Sequence, residues 1–240
     1  MNRFGKVTIL FSVLLVFTGL AIYLYNLSFG LLLLPVVLWL LTVAAGVFFI
    51  GMNLFMNCKN RLEGRDSSVA LTFDDGPSEQ TERILVIMKK HGIKATFFVV
   101  GKNIQGKEVV IKRMAQEGHE IGNHTLNHSG FFPFKKRGEM AEEIERTNRL
   151  INEITGKTPE LFRPPFGVTN PNVAFAVRKT GMKCTGWSLR SLDTVISNPG
   201  RLLKRLKRKT KKGDVVLLHD NREVTLQILD EYILFLIKHT

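Results

Sequence analysis

The sequence predicts an α/β protein in which two membrane-spanning helices precede a parallel sheet, either open or closed into a barrel. Two observations lead to this prediction. After Arg65, short apolar runs alternate with longer amphipathic stretches, as expected for repeated strand–helix units. Before that point, the stretch from Val7 to Met56 contains no charged residue, which indicates a membrane-embedded segment.

The uncharged segment is long enough for two membrane crossings. As a continuous helix it would extend roughly 75 Å, whereas the hydrocarbon layer is about 30 Å thick. The polar residues Asn26 and Ser28 and the flexible Gly30 interrupt it. We therefore predict helices near Val7–Tyr25 and Leu31–Phe55. A cleaved signal peptide fits less well, because the apolar stretch is too long and no small-residue cleavage site follows promptly.

Basic residues flank this segment on both sides, while the connecting turn carries no charge. Arg3 and Lys6 precede it, and Lys59, Arg61 and Arg65 follow it. The positive-inside rule therefore predicts that both flanks face the cytoplasm.

We expect residues 1–64 to form the membrane anchor and residues 65–240 to form the second domain. Six strands are predicted there: Val69–Phe73, Ala95–Val99, Glu120–Gly122, Leu161–Phe162, Lys183–Trp187 and Val215–Leu218. Six helices are predicted between and after them: Glu79–His91, Lys107–Glu117, Lys135–Thr155, Asn172–Thr180, Pro199–Lys211 and Glu223–Lys238. Four of these helices are followed by a glycine suited to ending a helix: Gly92, Gly118, Gly156 and Gly181.

The chain is strongly basic, with a formal net charge of +13 over 240 residues. Such a charge favours anionic partners: nucleic acid, anionic lipid or an acidic glycan. The segment Arg201–Lys212 is the densest basic stretch, and we predict that its basic face lies on anionic headgroups. A merely solvated face is the simpler alternative. Nucleic acid is not expected, because no aromatic residues are interleaved with the cations and no recognised binding module is present.

The two cysteines, Cys58 and Cys184, do not suggest a disulfide framework. Cys184 lies in a predicted strand, so we expect it to be a small core residue.

Polar and titratable residues follow the predicted strands. Because the carboxyl ends of parallel strands meet at one rim, we expect these side chains to converge there. They are Asp74 and Asp75 after the first strand, His124 and His128 after the third, Arg163 after the fourth, Trp187 and Asp193 after the fifth, and His219 at the end of the sixth.

The spacing of His124 and His128 suits a shared ion. On a helical turn, residues four apart face the same way, although a lone pair of this kind is more often two unrelated surface histidines. With a carboxylate from Asp74 or Asp75, they would form a catalytic metal site. Zinc suits this ligand set, and other first-row divalent metals are possible. The second carboxylate would then act as a base on water, kept ionised by Arg163.

His219 ends a strongly apolar strand, and alone it would be read as a core or edge histidine. Opposite an activated water it could protonate a leaving amine. A base, a metal, an acid and an arginine together indicate metal-assisted hydrolysis of an amide or an ester.

Four motifs in order resemble those of the polysaccharide deacetylases with a NodB homology domain, also called carbohydrate esterase family 4. They are Thr72-Phe73-Asp74-Asp75-Gly76, His124-Thr125-Leu126-Asn127-His128, Arg163-Pro164-Pro165-Phe166-Gly167 and Leu217-Leu218-His219. The resemblance covers about residue 67 to the end of the sequence. It implies a distorted (β/α) barrel and removal of N-acetyl groups from N-acetylglucosamine units of a peptidoglycan or chitin-like glycan.

The resemblance also implies a role for each residue. Asp74 would be the general base, and Arg163 would orient and ionise it. The backbone N–H of Phe166 would hold the oxyanion. The remaining implied roles are metal ligation by Asp75, His124 and His128, general acid catalysis by His219 tuned by Asp193, and an acetyl pocket lined by Leu217.

The sequence departs from the family in two places. The motif that usually reads Asp-Ser-x-Asp-Trp is Arg190-Ser191-Leu192-Asp193-Thr194 here, which alters the pocket wall; Trp187 could replace the missing aromatic residue. Family members also commonly add a closing strand after the last helix, so we expect the sheet to be open at that edge.

The leading hypothesis is therefore a membrane-anchored, metal-dependent deacetylase of N-acetylated glycan. Two alternatives remain open at this point. One is a deacetylase or deformylase of a lipid-linked sugar at the cytoplasmic face, as the charge rule would favour. The other is a catalytically inactive glycan-binding membrane protein.

Overall fold

The N-terminal segment forms a helical hairpin in the computed structural model, which describes residues 3–64 and 68–239. Helix α1 is Arg3–Tyr25 and helix α2 is Leu33–Phe48, joined by a 3₁₀ turn at Phe29–Leu32. By length and composition, both helical stretches could cross a membrane. The helix α2 ends seven residues earlier than predicted, because a 3₁₀ turn at Ile50–Met52 and a left-handed Asn53 redirect the chain.

The described residues after the hairpin form an eight-stranded parallel curled sheet with helices packed on it, which confirms the predicted α/β barrel-like fold. The sheet order is β1-β6-β5-β4-β3-β2-β8-β7. The strands are β1 Cys58–Lys59, β2 Ala70–Gly76, β3 Thr96–Val99, β4 Glu120–Asn123, β5 Leu161–Phe162, β6 Lys183–Thr185, β7 Leu189–Arg190 and β8 Val215–His219. The helices are α3 Thr81–Lys90, α4 Glu108–Gln116, α5 Arg137–Thr155, α6 Pro171–Lys179, α7 Pro199–Lys209 and α8 Glu223–His239.

Apolar strand residues and the inner helix faces form the main core. Phe73, Phe97 and Leu218 are fully buried in it together with Tyr232 of α8. The four glycines expected to end helices all have positive φ, as predicted. Arg65 lies outside the described residues, and so does one side of the predicted domain boundary between residues 64 and 65.

Strand β1 was not predicted, since two residues carry no periodicity. It pairs in parallel with β6, with Cys58 opposite Cys184. Just beyond it, the N–H of Leu62 donates to the carbonyl oxygen of Gly213 at 2.8 Å, and Arg61 forms an ion pair with Asp214 at 2.7 Å. The segment after the hairpin therefore covers the edge of β6, and it reaches the start of β8.

The expectation about the cysteines is wrong, because Cys58 and Cys184 form a disulfide. Their Cα atoms are 4.4 Å apart across the β1–β6 pair. The bond depends on residue 58 entering the sheet, and the local sequence does not indicate this.

Candidate active site

The adjacent carboxylates at the end of β2 have different surroundings. Asp74 is buried, whereas Asp75 is partly exposed and has a positive φ of 74°. The β2–β3 register shifts between Asp74 and Gly76, so a bulge interrupts the alternation of the strand. As a result, Asp74 contacts Arg163, while Asp75 contacts His128.

One oxygen of Asp75 and two imidazoles converge on one point. Asp75 Oδ1 lies 3.7 Å from His124 Nε2 and 3.3 Å from His128 Nε2. This oxygen is buried and accepts no hydrogen bond from the described residues. His124 Nδ1 lies 2.7 Å from the carbonyl oxygen of Arg163; donation there leaves the Nε2 lone pair directed at the same point. An orphaned carboxylate oxygen with two oriented imidazoles fits a divalent cation.

The histidines are close together, but not for the predicted reason. No helical turn holds them: residues 124–128 form an irregular loop, in which Thr125 and His128 have positive φ. The Asn123 side chain shapes this loop by accepting a hydrogen bond from the N–H of Thr125 at 2.8 Å. Burial and the neighbouring His128 lower the pKa of His124 to about 3, which keeps this imidazole neutral and able to bind a metal.

Arg163 is fully buried and holds Asp74 in place. Its Nη1 donates to Asp74 Oδ1 at 2.7 Å and to Thr72 Oγ1 at 2.9 Å, and its Nη2 donates to the carbonyl oxygen of Gly186 at 2.7 Å. The guanidinium also lies 4.1 Å from the centre of the Phe98 ring. Burial raises the pKa of Asp74 above its usual value, and the charge of Arg163 opposes this rise.

His219 is paired with Asp193. The Nδ1 of His219 lies 2.8 Å from Asp193 Oδ1, and the His219 N–H and Thr225 hydroxyl both donate to Asp193 Oδ2 at 2.7 Å. Burial alone would lower the pKa of His219, but the hydrogen bond and charge of Asp193 raise it above its usual value. The same contacts outweigh burial at Asp193 and lower the pKa of that carboxyl group.

A cavity of about 240 Å³ connects these groups. Leu217, Phe166 and Trp187 line it beside the carboxylates and histidines. The residues that depart from the family motif, Arg190 and Thr194, line it too. All ten candidate site residues thus lie in one region: most border the cavity, while Arg163 and Asp193 support Asp74 and His219 from behind.

Several residues near the site were given no role from the sequence. Thr72 precedes Asp74 by two positions in β2, so strand alternation could have placed it on the same face. Asp220 follows His219 and accepts a hydrogen bond from the Thr81 hydroxyl at 2.7 Å. Burial raises the pKa of Asp220 to about 7. A Cβ at Gly76 would collide with this carboxyl group, which accounts for the glycine there.

Comparison with known proteins gives a consistent result. The family model for polysaccharide deacetylase matches residues 61–185. A peptidoglycan-N-acetylglucosamine deacetylase from Bacillus cereus is 36% identical, over 67% of this chain and 63% of its own length. The chain therefore spans just under two thirds of that relative.

Solved structures share the fold. The peptidoglycan deacetylase PdaC from Bacillus subtilis has a TM-score of 0.68 at 31% identity, covering 74% of this chain and 86% of that one. The wild-type BA3943 pseudoenzyme of carbohydrate esterase family 4, from Bacillus anthracis, has a TM-score of 0.69 at 29% identity, covering 75% and 63%.

Proposed function

The chain belongs to the polysaccharide deacetylase family, and on that premise we propose that it removes N-acetyl groups from N-acetylglucosamine units of a peptidoglycan or chitin-like glycan. One observation carries the proposal. A buried carboxylate, a candidate cation site and a histidine paired with a carboxylate all lie around one cavity.

In this proposal Asp75, His124 and His128 hold a divalent metal, with zinc the expected ion. When bound, the metal would supply Lewis-acid polarisation of the acetyl carbonyl and activation of water. The chain's own contribution is to keep the His124 imidazole neutral by burial and to orient it by its bond to the carbonyl oxygen of Arg163. The loop that follows β4 places His128 beside it.

Asp74 and His219 would move the protons. Asp74, held by Arg163, takes a proton from water as the water oxygen bonds to the acetyl carbon. The N–H of Phe166 then stabilises the oxyanion. The C–N bond breaks when His219, whose Nδ1 is held by Asp193, gives a proton from Nε2 to the leaving amine. The products are acetate and a free amino sugar.

We also propose that residues 1–64 anchor the enzyme in the membrane by the hairpin and that residues 65–240 are the catalytic domain. The Cys58–Cys184 disulfide supports an oxidising compartment, hence the outer side of the membrane. This reverses the inference from the positive-inside rule and disfavours a cytoplasmic lipid-linked sugar as substrate.

The basic face predicted for Arg201–Lys212 remains a proposal. Helix α7 buries Leu202 and Leu206 and exposes cations on its other side. Two of them already have protein partners: Arg205 donates to the carbonyl oxygens of Arg190 and Ser191, and Lys207 pairs with Glu231. We propose that the remaining exposed cations contact anionic headgroups.

A second candidate is an inactive glycan-binding protein. Arg190 and Thr194 in the cavity wall favour it, since they depart from the family motif at the proposed acetyl pocket. Against it stand the base, the metal ligands and the acid, each present with its supporting contacts.

Acetate release distinguishes the two candidates. The full chain in detergent, supplied with zinc and chitooligosaccharides or peptidoglycan, should release acetate and free amine in equal amounts. The His219→Ala variant should lower the rate by about 10²–10⁴-fold, the usual contribution of proton transfer. Glycan binding without acetate release by the wild type would establish the inactive alternative.

A further inference from the structure

The loop between β4 and α5 exposes aromatic and basic side chains beside the candidate active site. We call residues 131–137 the aromatic loop. Phe131 is 77% exposed and Phe134 is 85% exposed, although phenylalanine is normally buried. Lys136 and Arg137, two and three residues after Phe134, are also exposed.

The aromatic loop is tied to the end of the hairpin through one short segment. The side chain of Asn170 donates to the carbonyl oxygen of Pro133 at 2.7 Å. The preceding residue, Thr169, donates twice to the last turn of α2, from its N–H to the carbonyl oxygen of Val47 and from its hydroxyl to that of Gly46, both at 3.0 Å. The loop and the end of α2 are therefore joined through two neighbouring residues.

These contacts set the height of the loop relative to a bilayer. The two carbonyl groups belong to the last helical turn of α2, so Thr169 lies at the C-terminal end of the helix. Phe48 and Phe49, at the same end, are 68% and 66% exposed. If the hairpin spans the membrane, this end is at the bilayer surface. The inference rests on the proposed insertion of the hairpin and not on the proposed catalysis.

The composition of the loop fits an anionic lipid surface. Aromatic rings favour the interface between hydrocarbon and water, and neighbouring Lys and Arg side chains are attracted to acidic headgroups. Lys135 is paired with Glu143, and the guanidinium of Arg137 lies 4.7 Å from the centre of the Phe175 ring but remains exposed.

Sugar stacking is the rival explanation for exposed rings near a glycan site. The cavity is lined by Phe166 but not by Phe131 or Phe134. The physical link to α2 and the adjacent basic residues therefore favour lipid.

We propose that the aromatic loop contacts the anionic bilayer beside the hairpin, so that the mouth of the active site opens at the membrane surface. Phe166 is three residues from Thr169, at most about 11 Å of extended chain. The ring of Phe166 lies 4.8 Å from that of His128, one of the candidate metal ligands. The glycan would therefore be deacetylated close to the headgroups.

Depth-dependent quenching tests the contact. The Phe134→Cys full chain is labelled with an environment-sensitive maleimide in vesicles that contain phosphatidylglycerol and a lipid spin-labelled near the headgroup. The Phe17→Cys variant, in the middle of α1, reports hairpin insertion in vesicles whose spin label is attached deep in the acyl chain instead. The Val86→Cys variant is a matched control, because Val86 is 56% exposed on α3, which follows β2, four strands away from β6 in the sheet order. The wild-type chain carried through labelling measures any background from the native cysteines.

We expect quenching at position 134 to be several-fold stronger than at position 86, and Lys136→Gln together with Arg137→Gln to weaken it in anionic but not in zwitterionic vesicles. Equal quenching at 134 and 86 would overturn the proposal. So would a label at 134 that responds to chitooligosaccharide but not to the quencher. A label at 17 that the acyl-chain quencher does not reach would show that the hairpin is not inserted and would also overturn the proposal, while acetate release would still report catalysis separately.

Discussion

Asp74 and Asp75 are neighbours in sequence, yet the bulge at the end of β2 directs them to different partners. Asp74 is neutralised by the buried Arg163, whereas Asp75 Oδ1 lies beside the two imidazoles and accepts no hydrogen bond from any residue that the structure describes. Each carboxylate thus faces an attractive partner of its own and not the neighbouring carboxylate, which would repel it. The two can therefore take different roles.

This division predicts that the two residues can be separated experimentally. Asp75→Ala should lose both bound zinc and acetate release, because it removes the only carboxylate of the proposed ligand set. Asp74→Asn should retain zinc but lower the rate by about 10²–10⁴-fold, since it removes the base alone. Zinc content after dialysis and acetate release measure the two effects. Loss of zinc in Asp74→Asn but not in Asp75→Ala would reverse the assignment.

Asp220 predicts a pH dependence of stability. Its pKa is raised from 3.8 to about 7, so the folded state holds a proton that the unfolded state releases. Stability from this group is full below pH 4 and falls as the pH rises toward 7, by up to about 4 kcal/mol. Asn at this position still accepts from Thr81 but does not ionise.

We therefore expect Asp220→Asn to unfold at a higher temperature than the wild type at pH 7, with the difference shrinking toward pH 4. The measurement is thermal unfolding of metal-free protein in detergent, because a bound cation would itself favour the ionised form. Parallel pH profiles for the two proteins would contradict this prediction.

At the scale of elements, strand β1 makes several long-range connections although it is only two residues long. It covers the edge of β6, carries half of the disulfide and links the hairpin to the sheet. A bond between positions 126 residues apart in sequence restricts the unfolded chain strongly.

Removing the disulfide should therefore destabilise the fold. We expect the Cys58→Ser, Cys184→Ser double variant to lose about 2–5 kcal/mol, seen as a lower unfolding temperature in detergent. The wild type with reductant should behave like the variant, and the variant should not respond to reductant. Two free thiols in the unreduced, denatured wild type would refute the pairing.

At the scale of the whole molecule, the hairpin and the barrel meet at the end of the barrel that carries the site. Thr169 contacts the last turn of α2, and the N–H of Phe4 donates to the carbonyl oxygen of Leu54 at 2.9 Å, so both outer ends of the hairpin lie on the side of the barrel. Two inferences about the side of the membrane conflict here, the charge rule and the disulfide.

Topology reporters decide between them. An alkaline phosphatase fused after residue 240 should be active, because disulfides form and persist mainly in oxidising compartments. A fusion after Asn26, in the turn of the hairpin, should be inactive in the same cells. A β-galactosidase fusion after residue 240 that is active instead would place the catalytic domain in the cytoplasm.

The sequence by itself determined the alternation of strands and helices and the chemical groups at the strand ends. Buried strands and amphipathic helices leave a periodic pattern, and parallel strands bring their carboxyl ends to one rim. For this reason Asp74, His124 and His219 could be grouped before any distance was known.

The tertiary structure decided the features that depend on short segments finding distant partners. Strand β1 is two residues long, the loop of His124 and His128 is irregular, and the aromatic loop is joined to α2 through Asn170 and Thr169. None of these leaves a repeating pattern, because each is stabilised by a few contacts far along the chain and not by its own periodicity. The disulfide, the height of the site above α2 and the separation of the two aspartates follow from those contacts.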